Sequence, residues 1–136
     1  MFMSESPVPG SHPPSRIVLW VGRVLTVLVA LLFVFSAVAK LTTGAKGTEG
    51  VPEMGIPQSM IVPLGILELV CVAVYVFPQT TVLGAILLTG YMGGAICTHW
   101  RVGDPFLFQI GIGVIIWLGI FLREPRLREL IPLRRT

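Results

Sequence analysis

The run IVLWVGRVLTVLVALLFVFSAVA, residues 17–39, decides the fold. It holds 23 residues with a single charged group, Arg23. As a helix it is about 35 Å long, enough to cross a hydrocarbon core of about 30 Å. It is too long for the apolar core of a signal peptide, and no small-x-small cleavage pattern follows a shorter one. The composition agrees with a membrane setting. Hydrophobic residues make up 54% of the 136-residue chain and charged residues 12%, and the mean hydropathy is +0.85. A soluble domain carries about twice that charged fraction, so lipid is the solvent this surface fits.

Outward from the first span, Met1 to Ser15 holds Pro7, Pro9, Pro13 and Pro14 and reads as an irregular tail. Residues 16–136 form one membrane domain. Lys40 closes the first span, and the connection 41–59, with Pro52, Gly55 and Pro57, is too broken for a continuous helix. A second span covers about 60–77, with Pro63 in its first turn, where a missing N–H costs little. Pro78 ends it, and so short a connection makes the third span, 81–98, antiparallel to the second. Gly103-Asp104-Pro105 forms a turn, and a fourth span follows over 106–122. The expected fold is an all-α integral membrane bundle of four helices, with N- and C-termini on the same side.

Basic residues orient it. The terminal side carries Arg16, Arg123, Arg126, Arg128, Arg134 and Arg135; the other carries Lys40, Lys46 and Arg101. Six against three predicts cytoplasmic termini. Trp20, Trp100 and Trp117 lie near span ends, where amphipathic rings meet headgroups. The net charge of +3 follows this distribution and not a basic stripe interleaved with aromatics, so no nucleic-acid partner is expected. The expected surroundings are the lipid bilayer, with a protein partner or a homodimer beside it.

Ionisable groups inside a span cost roughly 2.5–3.5 kcal/mol each on insertion scales, so each calls for a reason. Glu68 is the deepest, about 10 Å below the outer surface. It shares a helix face with Gly65, Cys71, Val72 and Tyr75, and Tyr91 on the third span lies at nearly the same depth. A Glu68–Tyr91 hydrogen bond is expected, and desolvation at that depth favours the neutral form of the carboxyl. Two roles fit Glu68: interhelical glue, or a proton relay or ligand-binding carboxylate. Arg23 lies near enough to the terminal surface to snorkel back to it.

The third span is rich in small residues, and Gly90 and Gly94 form a GxxxG. Tight packing within the bundle is the expectation there, with a homodimer seam as the other structural use. At the outer end, His99, Arg101 and Asp104 cluster. Arg101 is placed to pair with Asp104, and Lys40 with Arg101 would form an outward anionic-ligand site. No metal is expected, because the other histidine, His12, lies across the membrane from His99. Cys71 and Cys97 differ in depth by about 12 Å, too far for a disulfide, and both read as buried small hydrophobes.

The run GIP (55–57), then PLGILEL (63–69) and Pro78, is similar to the DoxX-like family of small bacterial membrane proteins. LGAILLTGYMGGAICTHWRVGDP (83–105) and LREPRLRELIPLR (122–134) resemble it further. The likeness extends over Arg16 to Arg134. It implies a four-helix membrane fold in the bacterial inner (plasma) membrane. Glu68, Tyr91, His99, Arg101 and Asp104 match positions typical of this subgroup. The family takes its name from a subunit associated with thiosulfate:quinone oxidoreductase, and relatives are linked to membrane thiol and oxidative-stress systems. The resemblance therefore implies a non-catalytic subunit or anchor of such a complex. A small-solute transporter or channel component and a quinone-interacting oxidoreductase subunit are the alternatives, although no specific motif points to quinone.

Overall fold

The computed structural model describes residues 13–43 and 54–131. The Pro-rich tail before residue 13, most of the 41–59 connection, and Arg134 and Arg135 lie outside them. Four long helices follow in order: α1 (Arg16–Thr43), α2 (Gln58–Val76), α3 (Thr81–Val102) and α4 (Leu107–Arg123), with a short α5 (Pro125–Leu130) after them. Three are long and apolar enough to cross a membrane, and α4 is an apolar helix of 17 residues. In hydrocarbon every backbone N–H and C=O must be satisfied within the segment, so valine-rich stretches such as 27–38 are helical despite modest intrinsic propensity.

The helix ends have local causes. Ser15 Oγ accepts from Val18 N–H, and Ser15 O from Leu19 N–H, at the start of α1. Phe77, ahead of Pro78, is extended at ψ 124° and stops α2. Gly103, at φ +80°, closes α3: its N–H reaches Trp100 O while Asp104 N–H reaches His99 O, a six-to-one closure that only a left-handed residue permits at low cost. Three boundaries differ by two residues or more from the sequence reading, among them the end of α3, which runs four residues past Thr98 to Val102. α1 runs three residues past Lys40, and α2 starts two residues earlier, which moves Pro63 into its second turn.

The four helices form a ring. α1 packs on α2 and α4, and α3 packs on the same two from the opposite side. Gly22 near the start of α1 lies against Gly119, Leu122 and Arg123 of α4, so both described ends of the chain share one end of the bundle. The core follows helical periodicity: Val29, Phe33 and Ala37; Ile61, Glu68, Val72 and Tyr75; Ala85, Leu88 and Met92; Ile112, Ile116 and Ile120. Leu127 of α5 covers one end. The outward faces are apolar too, with Phe35 and Leu107 about three-quarters exposed. That distribution suits lipid.

Close helix contact occurs at glycines other than those the GxxxG pattern singles out. A Cβ on Gly84 would lie 2.2 Å from the Cα of Tyr75, and one on Gly22 would lie 2.8 Å from Gly119 O. Gly90 and Gly94, by contrast, have nothing within 4 Å of a built Cβ and face outward. The expected packing of that motif inside the bundle is therefore wrong. The face of α3 turned to the core is set by Ala85, Leu88 and Met92, and Gly90 and Gly94 stand off it. Across the ring, Tyr75 Oη donates to Ile116 O at 3.0 Å, which joins α2 to α4.

Gly84→Ala should cost about 1–3 kcal/mol or more by forcing α3 away from Tyr75. Gly90→Ala should leave stability unchanged or slightly raised. Thermal challenge of both variants in detergent, read by size-exclusion chromatography, compares them directly.

Candidate functional site: a buried ion pair between three helices

Three helices meet at Glu68. The residue is 2% exposed, and its Oε2 accepts from Lys40 Nζ of α1 at 2.7 Å and from Tyr91 Oη of α3 at 3.2 Å. Lys40 Nζ also reaches Ser36 Oγ one turn back along α1. The 2.7 Å contact is that of a charge-assisted bond between ammonium and carboxylate. Phe33 packs edge-on to the Tyr91 ring, with centroids 6.2 Å apart, and fixes its position from below.

Helix direction explains why these groups converge. Side chains on a helix lean toward its N-terminus. α1 and α2 are antiparallel, so Lys40 leans back into the bundle while Glu68 leans toward Lys40. Gly65 clears the path. A Cβ there would sit 3.1 Å from Lys40 Cβ and 3.2 Å from Ala37 O. The same rule places Arg23 differently, since leaning toward the start of α1 carries its side chain to the terminal surface. It is exposed, as expected for a snorkelling arginine, and makes no pair with Glu68.

The expected Glu68–Tyr91 contact is present. Lys40 is a further partner of Glu68, which the depth argument did not supply. Lys40 is thereby drawn out of the outward cluster, and the structure does not bring that cluster together. Arg101 donates to Met54 O and lies over Gly55, tying the α1–α2 connection to the end of α3. It forms no ion pair with Asp104, which is exposed. His99 faces another way. Its Nδ1 lies 2.9 Å from Ala95 O, which can only accept, so Nδ1 carries the proton and Nε2 accepts from the Gln109 amide at 3.0 Å. Gln109 Oε1 is buried without a hydrogen-bond partner among the described residues. Cys71 is buried beside Glu68, one turn on, whereas Cys97 is exposed on the outward face of α3. The expectation that both are buried fails for Cys97.

Sequence reasoning missed Ser36, Gln109 and the Trp117 Nε1–Thr89 Oγ1 bond at 2.8 Å between α4 and α3. The lean of side chains along α1 was the available signal for Lys40. Nothing in the spacing marks Gln109.

Four apolar helices closed around an internal ion pair define a multi-pass membrane protein. Residues 24–121 match the model of the DoxX-like family, and the chain belongs to that family. No curated protein and no solved structure matches it.

Glu68→Gln should destabilise the bundle by about 3 kcal/mol, because it leaves the Lys40 ammonium without its carboxylate. Tyr91→Phe should cost about 1 kcal/mol, the loss of one hydrogen bond. Equal losses in a thermal-stability assay would show that Lys40 does not depend on Glu68.

Proposed function

We propose that the chain is a non-catalytic membrane subunit or anchor that assembles with a partner protein in a redox or stress-response system of the bacterial inner membrane. The observation that carries this reading is the use made of the one deep carboxylate. Glu68 is closed off between Lys40 and Tyr91 and ties α1, α2 and α3 together. A group spent in this way holds a scaffold. The family supports the same reading through the oxidoreductase-associated subunit from which it is named. Both termini are assigned to the cytoplasm on the arginine excess around α5 and the start of α1.

A second reading, a small-solute transporter or channel component, has one observation in its favour. The Lys40 side chain is 20% exposed, so the ion pair can be approached from the loop end.

Gentle extraction followed by mass spectrometry separates the two. A stoichiometric soluble or membrane partner, with no solute flux in proteoliposomes, is the expected result. A monomer that carries nothing and sustains a flux would replace the first reading with the second. A reporter fused after Thr136 should be active only on the cytoplasmic side; activity on the other side would reverse the orientation.

A further inference from the structure

The start of α1 carries charge that the bundle does not use. Arg16, Trp20 and Arg23 follow one another at four and three residues, which brings them within about 60° of each other around the helix. All three are exposed, Trp20 to 63%. Among the described residues none of them has a hydrogen-bond or ion-pair partner. Trp117 differs, since Thr89 satisfies its indole N–H. Arg16 and Trp20 also border a recess along α1 whose remaining lining is Ile17, Val21, Val24 and Leu25.

Their level in the bilayer follows from α4. A Cβ on Gly22 would lie 3.1 Å from Leu122 Cβ and 3.2 Å from Arg123 Cβ, at the last turn of that helix. Arg23 is therefore level with the end of α4, and Trp20 and Arg16 stand successively farther out, where headgroups lie.

Charge limits what can meet these groups. α1, α3 and α4 contain no Asp or Glu, and the one acid of α2, Glu68, is spent on Lys40. A second copy is a poor match. This end of the bundle holds Arg16, Arg23, Arg123, Arg126 and Arg128 against Glu124 and Glu129, so two copies meeting here bring like charge together. A phospholipid phosphate is the anion that a bilayer supplies at this level, and the planar guanidinium fork suits it. Two guanidinium groups with no acid beside them favour a headgroup that adds no cation of its own.

We propose that this face of α1 binds one anionic phospholipid, its phosphate held by Arg16, Trp20 and Arg23 and the start of an acyl chain lying along Val21 and Val24. The site is independent of the subunit reading, since either a scaffold or a transporter can carry it.

The test is native mass spectrometry of the full chain in detergent, delipidated and then titrated with phosphatidylglycerol or phosphatidylcholine. One phosphatidylglycerol should bind about five-fold or more tightly than phosphatidylcholine, the factor that a single arginine near a headgroup supplies. Arg16→Gln combined with Arg23→Gln should remove that preference, with circular dichroism confirming an intact helical fold. Arg126→Gln, which removes an exposed charge of the same sign at the same end, should keep it. Equal binding of the two lipids by the unmodified chain would overturn the proposal, as would an equal loss in Arg126→Gln, which would make net charge the cause. A bound acidic protein or a dimer that the double variant releases would also overturn it, because a protein would then be the occupant.

Discussion

A carboxylate and an ammonium that meet at 2.7 Å inside a membrane bundle constrain everything around them. Neither group is stable there alone. Each would cost several kcal/mol unpaired in hydrocarbon, and together they offset much of that cost only if the geometry is held. The geometry is held from three sides. Gly65 lets α1 approach α2 at the level of Lys40, Tyr91 gives Glu68 Oε2 a second donor, and Phe33 sets the Tyr91 ring. The pair thus fixes the rotation of α1, α2 and α3 about their own axes. α4 enters through Tyr75, whose hydroxyl crosses the ring to Ile116 O. Apolar packing alone gives a weaker specification, because lipid tails compete with any helix face for the same contacts.

Small residues have two uses in this fold, and only contact geometry separates them. Gly22, Gly65, Gly84 and Gly119 stand where another helix would collide with a side chain. Gly90, Gly93, Gly94, Gly111 and Gly113 have open space where a side chain would be. The first set closes the bundle. Of the second set, Gly93 and Gly113 line the recess between α3 and α4.

Much of the architecture was legible in the sequence because the bilayer sets strict limits on length and composition. The four apolar runs, the turn at Pro78 and the break at Gly103-Asp104-Pro105 all appear in the structure within a few residues. The Glu68–Tyr91 contact was also legible, from depth and helix face. What depth alone does not carry is reach. Lys40 lies about one turn above Glu68, yet its four-carbon stem leans inward and joins the two. A count of levels therefore put Lys40 with Arg101, while the direction of its Cα–Cβ bond puts it with Glu68. The GxxxG at Gly90 and Gly94 misled for a related reason. The motif states that a close approach is possible there, and the core face of α3 is chosen by its larger side chains, Leu88 and Met92.

The ion pair as the fastening of three helices is most directly tested by a double-mutant cycle on thermal stability in detergent, using Lys40→Met, Glu68→Leu and the two combined. The combined variant should be more stable than either single one, with a coupling of about 2 kcal/mol or more, because removing both charges leaves neither stranded. Two losses that simply add would contradict the account, and would make Lys40 and Glu68 independent residues that happen to lie side by side.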